Sequence, residues 1–222
     1  MSTSIIVFAK APVAGRAKTR LAPALGLAGA AALAARMLQH ALAQAAAAGI
    51  GPVELCATPD ATHPALRAAA AACSAALATQ GTGDLGERMH RALARHLARQ
   101  QRAILVGTDA PGLDASALRQ AAQALDEHDA VFVPAHDGGY ALVGLCRPDA
   151  RLFCGLSWSH SQVMAQTRER LRATGLRWVE LASVADIDEP ADLVHLPPGW
   201  LEGLGGPGGA ESGEAAPARR AR

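Results

Sequence analysis

Four cationic side chains lie in one short loop near the N-terminus: Lys10, Arg16, Lys18 and Arg20. The loop follows an apolar run typical of a strand and precedes a segment with helical periodicity, and no acidic residue occurs before Glu54. A helix N-terminus attracts anions, and Lys and Arg bind phosphate oxygens, so the loop predicts a site for a di- or triphosphate. A solvated basic loop is the alternative. The segment is not a Walker P-loop, because Ala17 stands where that motif requires Gly.

Two acidic segments could hold a divalent cation. Asp109 follows a buried apolar run by two residues, and Asp114 is better placed to cap the next helix, which leaves Asp109 free for another role. Asp186 and Asp188 are spaced i, i+2 in an extended segment, so their side chains point the same way. Mg²⁺ and Mn²⁺ prefer such hard oxygen ligands. For Asp188 the alternative is an N-cap of a short helix that starts at Glu189.

A glycine pair marks a third loop, in which Gly138 and Gly139 precede Tyr140. Glycines at this place allow a tight turn or a close approach of the backbone to a ligand. Asp137, with His136 beside it, could position a sugar or act as a base, and an ordinary Asp-Gly hairpin turn is equally compatible with the residues.

Two further features are weaker. Trp158 lies in the segment LSWS before a predicted helix, where it could stack on an acceptor or belong to the core. The segment from Gly81 to Gly86 matches G-x-G-x-x-G, but it follows the third predicted strand rather than the first, so dinucleotide binding is disfavoured. Gly83 and Gly86 are instead predicted to shape a substrate-facing loop, with Gly83 contacting the nucleotide.

The elements that must position these residues alternate between strand and helix. Strands are predicted at residues 4–9, 53–58, 75–80, 103–107, 130–134, 140–145 and 176–181, and helices at 26–48, 62–72, 84–101, 114–128 and 159–174. This alternation predicts an α/β domain with a mainly parallel sheet covered on both faces, which binds ligands at the carboxyl ends of its strands. One domain over residues 1–200 is expected, followed by a disordered Gly/Pro/Ala-rich tail over 203–222.

Composition and charge exclude several classes. The net charge of +1 over 222 residues gives no electrostatic basis for nucleic-acid binding. No uninterrupted apolar run reaches the roughly 20 residues of a membrane span. Four cysteines without a C-x-x-C pair, and an N-terminus without a basic signal region, predict reduced thiols in a cytoplasmic protein. The oligomeric state is left open.

The motifs FAKAPVAGRAKTRLAP, GDLGERM, GTDAPGL, PAHDGGYALVGL, LSWS and DIDEPADL together resemble one family. It comprises small bacterial GT-A-fold proteins, the nucleotide-diphospho-sugar transferases and the arsenosugar-biosynthesis-type glycosyltransferases. Broader relatives are the guanylyltransferases for molybdenum cofactor and 2-phospholactate, and the CMP-sugar synthetases. The resemblance implies a three-layer α/β/α Rossmann-like sandwich with a mainly parallel mixed sheet.

The resemblance also implies site residues. The basic loop of the relatives grips nucleotide phosphates, which maps onto Arg16, Lys18 and Arg20, and their metal-binding Asp residues map onto Asp109 and Asp188. Glu189 departs from the Thr usual in the CMP-sugar synthetases. The D-x-D motif of many glycosyltransferases is also absent, since the chain reads Asp109-Ala-Pro111.

The expected function is a glycosyltransferase that uses a nucleotide-diphospho-sugar donor, a small-molecule acceptor and Mg²⁺ or Mn²⁺. Asp109 and Asp137 are the expected catalytic residues, with Asp137 as base or sugar ligand. The sugar and the acceptor are expected to lie near Gly138, Gly139, Tyr140 and Trp158. Two alternatives remain: a nucleotidyltransferase that takes a nucleoside triphosphate and releases pyrophosphate, and a non-catalytic nucleotide-binding module.

Overall fold

The computed structural model describes residues 2–99 and 102–204. Seven strands and five α-helices alternate along this part of the chain. The strands are β1 (Thr3–Lys10), β2 (Val53–Thr58), β3 (Ala76–Thr79), β4 (Arg102–Val106), β5 (Ala130–Pro134), β6 (Tyr140–Leu145) and β7 (Trp178–Glu180). The helices are α1 (Ala22–Ala48), α2 (Pro64–Ala72), α3 (Leu85–Leu97), α4 (Ala115–Ala124) and α5 (Val163–Thr174).

The seven strands form one sheet in the order β3-β2-β1-β4-β6-β5-β7. All neighbouring pairs are parallel except those of β6, which runs antiparallel to both β4 and β5. The mixed, mainly parallel sheet that the sequence predicts is therefore confirmed. Because β6 is reversed, it starts at the edge where the parallel strands end, and the loop between β5 and β6 lies at that same edge.

Helices cover both faces of the sheet and make three layers. One face packs Ile5, Val7 and Leu55 against α1, α2 and α4, and the other packs Ile6 and Phe132 against α3 and α5. Adjacent residues of the central strands point to opposite faces and both are buried, which is why these strands are continuous apolar runs.

Most predicted element boundaries agree with the structure to within two residues, but one end of each of α1, α3, α4 and α5 differs by four. Asp84 caps α3 in a capping box with Glu87, and Asp114 caps α4 by accepting a hydrogen bond from the Ala117 amide. Of the two roles left open for Asp188, the cap is not observed, because the N-cap of the short 3₁₀ helix Pro190–His195 is Glu189. The predicted tail falls, beyond Leu204, outside the described residues.

The longest helix, α1, bends at Gly26, whose φ of 70° is left-handed, and ends at Gly49. By length and composition alone, the helical stretch Thr19–Ala48 could cross a membrane. Polar residues interrupt the stretch, so it contains no apolar run of that length. The stretch also has the character of a core helix. Leu38 and Leu42 pack on the sheet, and Leu33 and Met37 pack beneath the C-terminal segment.

An ion pair between a buried carboxylate of β2 and a partly exposed arginine of α3 connects this helix to the sheet. Glu54 of β2 is 6% exposed and accepts two hydrogen bonds from Arg95, of 2.5 and 2.6 Å. Burial alone would raise the pKa of this carboxyl. The two hydrogen bonds from Arg95, together with His96 Nε2 at 3.2 Å, outweigh burial and lower the pKa from 4.5 to about 2.

Replacing Glu54 by Gln is expected to lower the free energy of unfolding by about 1–2 kcal/mol at pH 7, after allowance for solvent around Arg95. A depressed pKa stabilises the fold above the unfolded pKa of 4.5, and this contribution disappears as pH falls towards about 2. Urea denaturation at pH 7 and pH 3 measures the difference between the two proteins. Exposed Glu127→Gln serves as the control, and a difference that does not shrink at low pH contradicts the assignment.

Candidate active site

A cleft of about 550 Å³ opens at the carboxyl edge of the sheet. Its walls come from the loops that follow β1, β4, β5 and β7, together with the first turn of α3. The volume suits a nucleotide-sized ligand, and the position is where open α/β sheets bind ligands. Ten predicted site residues line it: Lys10, Arg16, Lys18, Arg20, Asp109, Asp137, Gly139, Tyr140, Trp158 and Asp188.

Lys18 contacts two carboxylates of the cleft and one backbone carbonyl. Its ammonium group lies 2.6 Å from Asp109 Oδ1 and 2.7 Å from Asp188 Oδ1, and it donates to the Ile187 carbonyl at 2.6 Å. Burial alone would lower the pKa of Lys18, but the two carboxylates outweigh burial and raise it above 10.5. As the sequence indicates, Lys18 has no local ion-pair partner, and the two acids that it contacts lie about 90 and 170 residues further along the chain.

Three carboxylates converge beside this ion pair. One oxygen each of Asp137, Asp186 and Asp188 lies within 4.8 Å of the others. Burial and the neighbouring charges of Asp137 and Asp188 raise the pKa of Asp186 above 3.8, which is the effect expected of crowded acids. Three such oxygens are a fitting ligand set for Mg²⁺ or Mn²⁺.

The predicted metal pair, Asp109 and Asp188, lies around Lys18, whose ammonium group contacts both carboxylates. Asp188 also belongs to the acidic cluster, together with Asp186, the acid two positions before it. Asp137, which was predicted to act as base or sugar ligand, contributes one of the three carboxylates of this cluster.

Backbone contacts hold the acidic loops together. The His136 amide donates to the Val184 carbonyl and the Ile187 amide donates to the Asp109 carbonyl, which joins the loops after β4, β5 and β7. Ile187 is fully buried among apolar residues of α1 and the C-terminal segment. The carboxylates on either side of Ile187 consequently face the cleft.

The aromatic side of the cleft has unpaired polar atoms. Tyr140 and Trp158 pack edge to face with ring centroids 6.4 Å apart. The Tyr140 hydroxyl and the Trp158 indole nitrogen are both buried, and neither has a hydrogen-bond partner among the described residues. Buried polar groups of native proteins are nearly always paired, so these two donors are among the few exceptions in the described residues.

Two residues of the cleft escaped the sequence prediction. Gln80 is 5% exposed and donates to the carbonyls of Ala9 and Cys56, and its own carbonyl accepts from Arg88 at 2.9 Å. These bonds fix the guanidinium group of Arg88 at the wall of the cleft. The only signal in the sequence is the helical spacing of Leu85, Arg88 and Met89, which places all three on one face of α3.

Two predicted glycines lie outside the cleft. Gly83 precedes α3, where a Cβ atom would meet the Glu87 carboxylate at 2.2 Å, so its left-handed backbone serves the capping box rather than a nucleotide. Gly138 packs against the backbone of Ser161. Gly86 lets α3 approach Trp158, since a Cβ there would lie 2.7 Å from the indole ring.

A basic loop, a cluster of carboxylates and this sheet order together define a transferase-like fold of the GT-A and nucleotidyltransferase class. The family model described as "Uncharacterized protein conserved in bacteria (DUF2064)" matches residues 41–160. The chain belongs to this family. No curated protein matches the chain in sequence.

Solved structures agree with this class. A proposed nucleotide-diphospho-sugar transferase from Desulfovibrio desulfuricans G20 is 32% identical, with a TM-score of 0.79 over 87% of this chain and 85% of its own. A nucleotidyl transferase from Methanothermobacter is 12% identical, with a TM-score of 0.60 over 87% and 94% of the two chains. Glucosyl-3-phosphoglycerate synthase from Mycobacterium tuberculosis is 11% identical, with a TM-score of 0.53 over 87% and 74%. The last two similarities concern the fold alone.

Replacing Gly138 by Ala is expected to destabilise the protein and disturb the loop that holds Asp137. The φ of Gly138 is +90°, and a Cβ atom would lie 2.1 Å from the Ser161 carbonyl oxygen. We expect a loss of about 3 kcal/mol in the free energy of unfolding from backbone strain and displaced packing.

Gly155→Ala is the matched control, because its φ is +68° but nothing lies within 4 Å of the added atom. Backbone strain alone predicts a loss of about 1 kcal/mol there. Denaturant unfolding compares the two variants, and equal losses would show that the contact with Ser161 does not matter.

Proposed function

We propose that this protein is a divalent-cation-dependent glycosyltransferase that uses a nucleotide-diphospho-sugar. The observation that carries the proposal is the convergence of Asp137, Asp186 and Asp188 in a cleft that Arg16 and Arg20 also line. A cation beside exposed guanidinium groups suits a diphosphate leaving group, because both would neutralise its negative charge. The similarity to the D. desulfuricans protein over most of both chains supports the same assignment.

The acidic cluster suits a hard divalent cation better than a soft one, because all of its donors are carboxylate oxygens. The synthase from M. tuberculosis, which shares the fold, was solved with Mn²⁺, uridine diphosphate and glucosyl-3-phosphoglycerate. A cation held by these carboxylates would supply positive charge to the departing nucleoside diphosphate.

The residues of the chain account for the other requirements of glycosyl transfer. Exposed Arg16 and Arg20 neutralise phosphate oxygens that the cation does not reach. The aromatic rings of Tyr140 and Trp158 line the side of the cleft against which the sugar or the acceptor packs. An acceptor hydroxyl then attacks the anomeric carbon, the bond to the diphosphate breaks, and the hydroxyl proton passes to a carboxylate of the cleft.

Nucleotidyl transfer is the second candidate, and one observation favours it. The residue two positions after Asp109 is Pro111, so the second acid of the D-x-D motif is missing. With the same charges, a phosphate or carboxylate of the acceptor would attack the α-phosphate of a nucleoside triphosphate and release pyrophosphate. A nucleotide-binding module without turnover is the third possibility.

A thermal-shift screen with Mn²⁺ distinguishes the candidates. A ligand at 100 times its Kd stabilises the native state by about 2.7 kcal/mol, which raises the Tm by a few degrees in a domain of this size. We expect nucleoside diphosphates and their sugars to stabilise the protein more than triphosphates do. A single preferred triphosphate would identify a nucleotidyltransferase, and binding without turnover of any nucleotide-sugar would identify a binding module.

Asp186→Asn tests the acidic cluster. The raised pKa of Asp186 means that its ionised form destabilises the fold, so the variant without metal should be at least as stable as the parent at pH 7. Stabilisation by Mn²⁺ should require at least tenfold more metal, because one ligand is lost. Thermal denaturation with increasing Mn²⁺ measures both effects.

Asp114→Asn is the control for this substitution. Asp114 caps α4 outside the cleft, and Asn is also a good N-cap, so the response to Mn²⁺ should be unchanged. An unchanged Mn²⁺ response of Asp186→Asn would exclude Asp186 from the cation site.

A further inference from the structure

The ammonium group of Lys18 is held by three groups. It donates hydrogen bonds to Asp188 Oδ1 at 2.7 Å and to the carbonyl oxygen of Ile187 at 2.6 Å, and it lies 2.6 Å from Asp109 Oδ1 in an ion pair. A Lys ammonium has only three N–H donors, and two of them are used here. The residue that the sequence places among the phosphate ligands is held by the acids instead.

Asp188 is shared between two environments. The same side chain accepts from Lys18 and belongs to the cluster with Asp137 and Asp186. Lys18 and a divalent cation would therefore contact one carboxylate, and two positive charges that close repel each other strongly in a partly buried site. The side chain of Lys18 is 9% exposed and that of Asp188 is 42% exposed, so solvent screens this repulsion only in part.

We propose that Lys18 is an internal counter-ion that competes with the divalent cation for Asp188 and moves to the diphosphate when the cation binds. This inference rests on the proposed function. A displaced ammonium needs new acceptors, and phosphate oxygens at the basic loop supply them.

The competition makes binding of metal and nucleotide cooperative. Metal binding without a diphosphate takes Asp188 from Lys18 and leaves it only Asp109 and the Ile187 carbonyl. Diphosphate binding without the metal must draw Lys18 away from two carboxylates. Each ligand removes the obstacle to the other, and such coupling is reciprocal. The cleft would thus hold Mn²⁺ weakly until the nucleotide arrives.

Mn²⁺ binding to the parent protein and to Lys18→Met tests the proposal without any assay of activity. Electron paramagnetic resonance of free Mn²⁺ and titration calorimetry give the affinity, first for Mn²⁺ alone and then with UDP or GDP present. We expect Lys18→Met to bind Mn²⁺ alone at least tenfold more tightly than the parent. The further gain caused by the nucleoside diphosphate should be smaller in the variant.

Two other variants make the result specific. Lys18→Gln removes the charge but keeps a hydrogen-bond donor, so it should also bind Mn²⁺ more tightly even if Lys18→Met folds poorly. Arg20→Met removes an exposed charge whose nearest carboxylate contact, to Glu189, is 3.9 Å, and it should leave the affinity for Mn²⁺ alone within twofold.

The outcomes separate the two proposals. If Lys18→Met and Lys18→Gln both fold and bind Mn²⁺ no more tightly than the parent, the competition does not exist, and the proposed function can still hold. If neither UDP, GDP nor any nucleotide-sugar binds to the parent, the proposed function fails. A higher affinity of the Lys18 variants for Mn²⁺ alone would stand in that case.

Discussion

The contact between Lys18 and its two carboxylates joins three segments that are distant in the sequence. The loop after β1 carries Lys18, the loop after β4 carries Asp109, and the segment after β7 carries Asp188. A buried ammonium without partners would be very costly, so this pairing holds the loops in one arrangement. The shape of the cleft and the position of its acidic cluster both depend on this arrangement.

The sheet explains why these loops meet. Four of the cleft segments follow parallel strands and therefore emerge at the same edge, and the antiparallel β6 begins there with Tyr140. Ile187 is buried beneath the C-terminal segment, and its burial directs Asp186 and Asp188 into the cleft. The apolar packing of Ile187 thus sets the position of two acids of the charged site.

Predictions that depend only on neighbouring residues in the sequence were accurate. Strands β2, β5 and β6 have the predicted bounds, because buried strands are continuous apolar runs bounded by turn residues. The caps at Asp84 and Asp114 followed from spacing within a few residues. Asp188 was harder to interpret, since both a cap and a cation ligand fit its position. Its neighbour Glu189 takes the cap, which leaves Asp188 to the cleft.

The alternation of strands and helices, the basic loop and the acidic segments at strand ends could be predicted, because each depends on residues close together in the chain. The folded structure then established which charges meet. It paired Lys18 with Asp109, grouped Asp137 with Asp186 and Asp188, fixed Arg88 through Gln80, and removed Gly83 from the cleft. Electrostatic interactions act through space over a few ångströms, and the number of residues between two charges in the sequence does not reveal whether they come that close.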